Sequence, residues 1–400
     1  MKYIVILGDG MADLKKGPLG TKTPLELAKK PNIDALARDG ETGLIATVDE
    51  GFSPGSDIAN LSILGYDPNV CYTGRSPLEA LSIGVDVGDE DACLRTNLVT
   101  LSEADDFNEK IMVDYSAGEI STEEAAKIIE TINEKMSNGI IEFHSGVSYR
   151  HCALLHGNKD LSVEFTPPHD ITGRKIGEYM PKGQGSDVFR ELIKRSAVVL
   201  KNHPVNIERK EKGKNPANAI WFWGKGTKPK LESFESKYGL KGAMISATDL
   251  LKGIAVGAGM DVIHVDNITG TIKTNFMGKA KACIEALDNH DYVYVHFEAP
   301  DECGHQGDAK GKILSIEKID EVVGYVKSKL DERGEEYCLA VLPDHFTPLF
   351  SRTHLGKPVP FIVYNSARPA KCGLKYTETE ASRGVYLSNG RALIQMMMKS

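Results

Sequence analysis

The sequence predicts an α/β fold in which a mainly parallel sheet is covered by helices on both faces and interrupted by an inserted α+β domain. Three observations carry this. Short apolar runs rich in β-branched and aromatic residues recur at 3–7 (YIVIL), 292–297 (YVYVHF), 337–342 (YCLAVL) and 359–364 (VPFIVY). Such uninterrupted apolar strands are buried on both faces, as in parallel sheets. Segments with helical spacing alternate with these runs, and the texture changes in the middle of the chain.

The first run ends at Gly8-Asp9-Gly10. That turn does not complete the GxGxxG pattern of dinucleotide binding. Residues 31–40 (PNIDALARDG) have helical spacing, a proline start and a glycine stop. Residues 277–287 and 313–330 read as further helices between the late strands. From about 76 to 232 the strands look more alternating, with more Gly, Pro and charge, and 201–214 is basic without a clear core pattern. These contrasts divide the chain into a first core segment 1–74, an insert 75–232 and a second core segment 233–400.

At 400 residues, 41% hydrophobic and 26% charged, the composition is that of a globular protein able to bury a large core. The formal net charge of −8 argues against a general nucleic-acid binder, yet leaves room for a local basic pocket for a phosphorylated small molecule. The seven cysteines are scattered, with no CxxC, so neither a disulfide framework nor a thiolate zinc site is expected, and a reducing cytoplasm is. No apolar run is long enough for a signal-peptide core or a membrane span.

The acids fall where chemistry is expected. Asp9 follows the first strand, Asp301 follows YVYVHF in EAPDECGH, and Asp344 follows YCLAVL in PDHFTP. Ligands of open α/β sheets bind beyond the carboxyl ends of the strands, so three carboxylates from distant segments would meet at one edge. Like charges that close need positive charge among them. Neighbouring histidines point to metal ions: His305 lies one helical turn from Asp301, His345 adjoins Asp344, and His354 precedes another strand. Mixed carboxylate and imidazole ligation suits manganese, zinc, cobalt or iron, with magnesium at oxygen-rich positions. An aspartate after a strand also serves as a helix N-cap, a competing reading for each acid and for Ser56. Ser56 follows the Pro54-Gly55 turn; a metal-coordinated hydroxyl there could attack phosphorus.

The ordered set DGM, PGSDIANLSILGYDP, GRSPLEA, EAPDECGH, PDHFTP and THLGKPVPF resembles the cofactor-independent phosphoglycerate mutases of the archaeal type, in the alkaline phosphatase superfamily. The resemblance spans essentially the whole chain. It implies an alkaline-phosphatase-like core with two divalent metals, Mn2+ foremost and Mg2+, Zn2+ or Co2+ as alternatives. Asp301, His305 and His354 would hold one ion; Asp9, Ser56, Asp344 and His345 would hold the other. It further implies a transient phosphoserine at Ser56, a phosphoglycerate substrate entering between core and insert, and no need for 2,3-bisphosphoglycerate. Arg95, Arg150, His151 and Arg174 look like substrate-pocket residues, with Lys225 weaker. His169 or Asp170 would move a proton between hydroxyls. Trp221 and Trp223 equally fit core positions, and Cys303 a packing position.

The core ligands alone do not separate a mutase from a phosphatase, a phosphopentomutase or a phosphodiesterase; the insert must. A non-catalytic metal-binding protein is the reading from another class, and an intact Ser56 beside a full ligand set argues against it. A sulfatase lacks support because no Cys/Ser-x-Pro-x-Arg is present, and no P-loop or kinase glycine loop occurs. The sequence leaves the oligomeric state open.

Overall fold

The computed structural model describes residues 1–399. Its strands are β1 (Lys2–Gly8), β2 (Glu41–Ile45), β3 (Ala92–Leu101), β4 (Met112–Asp114), β5 (Ile141–His144), β6 (Arg150–Leu155), β7 (Ala219–Thr227), β8 (Gly242–Ile245), β9 (Asp261–Val262), β10 (Tyr292–Phe297), β11 (Tyr337–Leu342), β12 (Val359–Asn365) and β13 (Val385–Leu387). By contacts the chain forms two compact units, Met1–Tyr72 with Lys230–Ser400, and Thr73–Pro229.

The larger unit holds an eight-stranded sheet in the order β13-β2-β12-β11-β1-β10-β8-β9. Only β12 runs against its neighbours; every other pairing is parallel. Strands β10 and β11 are buried at every residue, which explains their uninterrupted apolar sequences. One face packs Ile4, Ile6, Val293, Val295, Leu339 and Val341 under the helices Pro31–Asp39, Phe276–Ala286 and Ala309–Arg333. On the other side, helices Asp249–Gly257 and Ala392–Lys399 adjoin the sheet, and helix Ser56–Ile63 adjoins both of them.

The smaller unit is a five-stranded antiparallel sheet with β3 paired to β4, β6 and β7, and β5 beyond β6. Helices Thr122–Met136 and Ser186–Leu200 bury their apolar stripes with the sheet in one core. A second, small core around Cys93, Cys152 and Leu154 lies under helix Arg75–Ser82. The basic stretch 201–214 forms helix Pro204–Glu211. Its anchor is polar: buried Arg209 bonds Glu124 (2.7 Å), the Ala117 carbonyl (2.6 Å) and the Asn215 carbonyl (2.9 Å). A helix held that way shows no apolar period to read. Among the described residues all seven cysteines are free, and no helix is long and apolar enough to cross a membrane.

One long-range cap matters to the core. Helix Pro31–Asp39 begins after Lys30, which offers no capping hydrogen bond. Buried Asp320 of helix Ala309–Arg333 does so instead, accepting from the Ile33 amide (2.7 Å) and the Asn32 side chain (2.8 Å). Asp320→Ala leaves an orphan amide and should lower unfolding free energy by about 1–3 kcal/mol, read by urea denaturation.

Candidate active site

Strands β11, β1 and β10 lie side by side and parallel, so their carboxyl ends share one edge. Asp9 directly follows β1, Asp344 lies just past β11, and Asp301 lies in the first turn of helix Ala299–Gln306 after β10. None is an N-cap: that helix is capped at Glu298, and no helix begins at Asp9 or Asp344. Ser56 is likewise the first residue of its helix, with Gly55 at the cap position. The capping alternatives therefore fail for all four.

Two donor groups result. In one, a ligand atom of each of Asp301, His305 and His354 lies within 4.8 Å of the others; Asp9, Asp344 and His345 form the second. His305 Nε2 is 3.2 Å from Asp301 and 2.9 Å from His354 Nε2. His345 Nε2 is 3.4 Å from Asp344, 3.5 Å from Asp9 and 3.1 Å from the Ser56 hydroxyl, which is itself 3.5 Å from Asp9. The His345 and His354 rings stack with centroids 3.8 Å apart, so the groups adjoin. His305 Nδ1 faces the Arg352 carbonyl (3.0 Å) and His354 Nδ1 the Pro54 carbonyl (3.1 Å). Each carbonyl can only accept, which fixes hydrogen on Nδ1 and turns a bare or exchangeable Nε2 to the centre, the arrangement of metal-ligating histidines.

The donor set fits divalent cations. Asp9 Oδ1 is buried without a hydrogen-bond partner among the described residues, an orphan that a cation would satisfy. Burial, then the charges of Asp344 and Asp301, push the Asp9 carboxyl well above the usual range. Burial opposes the charge of Asp344, but the neighbouring His345 imidazole and Asp9 carboxyl hold it low. Asp301 is held low against its burial by His305 and His354. Its hydrogen bond in turn raises His305 to about 9. Without metal, a proton on His305 thus offsets part of the gathered negative charge.

Several residues behind this centre were not singled out from sequence. His296 donates to or accepts from Asp9 Oδ2 at 3.0 Å and is fully buried, with burial pushing it down to about 3. Asn60 bonds the Ser56 carbonyl (2.8 Å) and Asp344 (3.1 Å), and takes a hydrogen bond from Tyr294 (2.5 Å). The Gly10 amide and the His345 amide both donate to Asp344 Oδ1, at 3.1 and 2.9 Å. The one available signal was His296 itself, a histidine inside an otherwise apolar buried strand.

In the insert, Arg95 lies over Trp223 at 4.0 Å and pairs with Glu79 at 3.0 Å, with burial pushing its guanidinium down to about 10. Trp223 donates to Asn97 (2.9 Å) and touches the ring of exposed His169. Tyr115 meets both His169 and Tyr149, and Arg150 lies over Tyr149 at 4.5 Å. His169 is 3.6 Å from Asp170. Arg95, Arg150, His169 and Asp170 therefore belong to one connected polar and aromatic array. Exposed Arg174 bonds Tyr179 (3.1 Å), and exposed Lys225 bonds the Leu161 carbonyl.

His151 faces the interior of the insert. It is buried opposite Thr96, accepts from the Gly146 amide (3.1 Å), and burial pushes it down to about 3. Adjacent strand residues point to opposite faces, so exposing Arg150 turns His151 inward. Trp221 is core, whereas Trp223 is not. Cys303 is a buried packing residue as expected.

This is an α/β protein with a serine hydroxyl at one of two adjoining carboxylate–imidazole groups, a class of site suited to metal-assisted phosphoryl transfer. Residues 37–206 match the family described as 2,3-bisphosphoglycerate-independent phosphoglycerate mutase. A probable mutase of that name from Geobacter sulfurreducens is 48% identical, and one from Methanosarcina mazei 45%, each over 100% of both chains. Among solved structures, a Pyrococcus horikoshii protein matches with TM-score 0.84 and 29% identity over 100% of this chain and 96% of that one. The cofactor-independent phosphoglycerate mutase of Thermoplasma acidophilum matches with TM-score 0.69 and 25% identity, over 100% and 99%. The chain belongs to the 2,3-bisphosphoglycerate-independent phosphoglycerate mutase family.

A cation entering the Asp301 group must displace the proton on His305, which the hydrogen bond with Asp301 holds up to about 9. Below that pH the proton competes with the ion, and above it the competition ends. Ion affinity of the metal-free protein should therefore rise with pH and level off near pH 9, with proton release detectable by calorimetry in buffers of different ionisation enthalpy.

Proposed function

We propose that this chain interconverts 3-phosphoglycerate and 2-phosphoglycerate through a phosphoserine on Ser56, without 2,3-bisphosphoglycerate. The observation that carries the reading is the Ser56 hydroxyl, 3.1 Å from His345 and 3.5 Å from Asp9 at the start of a helix. Membership of the mutase family over the full chain supports the substrate.

Asp301, His305 and His354 would hold one divalent ion, and Asp9, Asp344 and His345 with Ser56 the other. Bound there, the ions would offset phosphate charge and favour the ionised serine hydroxyl. Mn2+ is the ion proposed, because it accepts mixed carboxylate and imidazole ligands; Mg2+, Zn2+ and Co2+ are the alternatives. Ser56 Oγ bonds phosphorus as the bond from phosphorus to the 3-oxygen breaks, and that oxygen takes up a proton. The phosphate then sits at the first residue of helix Ser56–Ile63, where unpaired amides and the helix dipole favour an anion. The 2-hydroxyl of glycerate gives up its proton and takes the phosphoryl group back, restoring Ser56. His169 and Asp170 are proposed to carry that proton. Arg95, Arg150 and Arg174 are proposed to bind the acid, since guanidinium groups match carboxylate and phosphate bidentately; Lys225 is a weaker candidate.

Ser56→Ala should fold normally, bind divalent ions, and lose interconversion by on the order of 10³-fold or more. A chelator should abolish wild-type activity, and added Mn2+ should restore it. Continued interconversion by the alanine variant would sink the covalent route, and release of inorganic phosphate with no 2-phosphoglycerate would replace the mutase with a phosphatase.

A further inference from the structure

Thr347 has no part in the reading above, yet its hydroxyl lies between the two donor groups. Its Oγ1 contacts Asp301 Oδ1 of one group and, at 3.2 Å, His345 Nδ1 of the other. The residue is fully buried. Its carbonyl accepts from buried Lys312 (2.7 Å), which is itself held by Asp13 (3.0 Å) and the Ala12 carbonyl (3.3 Å).

Two glycines clear the space around it. A Cβ at Gly10 would come within 2.4 Å of Thr347 Oγ1 and 2.6 Å of Asp301 Oδ1, and one at Gly304 within 2.5 Å of the Thr347 carbonyl. Gly10 also has φ +57, so both space and backbone conformation require glycine there. The DG turn and the helix carrying Asp301 are thus both shaped around this threonine.

Hydrogen-bond accounting gives the contact a direction. A threonine hydroxyl has one hydrogen, and an ionised carboxylate only accepts. The hydrogen of Thr347 therefore goes to Asp301. Its oxygen can then only accept from His345, so His345 carries hydrogen on Nδ1 and presents a bare Nε2 toward Ser56, Asp9 and Asp344. His305 and His354 obtain the same tautomer from backbone carbonyls of residues outside both donor groups. His345 obtains it from a side chain that also holds a donor of the other group.

We propose that Thr347 is a positioning residue that chains the two donor groups together, fixing the His345 tautomer and the Asp301 carboxylate with one hydroxyl. The inference rests on reading those groups as divalent-ion sites. Calorimetric titration of the metal-free full chain with Mn2+ tests it. Wild type should bind two ions. Thr347→Val keeps the shape and removes the hydroxyl, and should weaken binding at both groups by about 10–100-fold. Thr347→Ser restores the hydroxyl and should bind like wild type.

Wild type that takes up no ion would overturn the metal reading and the role of Thr347 together. Two ions bound equally well by wild type and Thr347→Val would overturn the role of Thr347 alone, as would a folded Thr347→Ser that binds like the valine variant. Should valine impair folding, nitrogen-15 shifts of the wild-type imidazoles with Zn2+ bound decide the matter. Hydrogen on His345 Nδ1 is expected, and a bare Nδ1 refutes the proposal.

Discussion

Three aspartates at the carboxyl ends of three adjacent parallel strands set the terms for everything around them. Asp9, Asp344 and Asp301 are buried close together, and buried like charges repel strongly in a low-dielectric setting. The surrounding structure answers that repulsion with imidazoles, amide donors and, without metal, a proton on His305. Divalent cations would answer it more completely, and the orphaned Asp9 oxygen is where the protein alone falls short.

The surrounding residues are held as tightly as the donors. Each histidine of the two groups has its Nδ1 against a fixed partner: a carbonyl for His305 and His354, a hydroxyl for His345. Asn60 ties the helix carrying Ser56 to Asp344, and Tyr294 from β10 locks Asn60 in turn. Such partners keep donors near one geometry before any ion or substrate arrives, which is what preorganised electrostatic catalysis requires.

Much of this was legible in the sequence, for physical reasons. Strands β10 and β11 are buried on both faces, so YVYVHF and YCLAVL read as strands without alternation. The donors were legible because carboxyl ends of parallel strands are where ligands bind, and the acids stood there with histidines beside them. Helix Pro204–Glu211 was not legible, because its anchor is buried Arg209 rather than an apolar stripe. The sequence also set His151 beside Arg150 in one phrase, but strand alternation sends the two to opposite faces. His296, Asn60 and Thr347 went unread because their roles depend on contacts across large sequence separations.

The central claim is that Ser56 carries the phosphoryl group between the two hydroxyls of glycerate. Its most direct test is mass spectrometry of wild-type enzyme loaded with Mn2+ and acid-quenched during turnover of 3-phosphoglycerate. The account predicts a phosphate on the peptide containing Ser56, absent when metal or substrate is omitted. Turnover with phosphate on another residue, or with none retained on the protein under conditions that preserve phosphoserine, would contradict it.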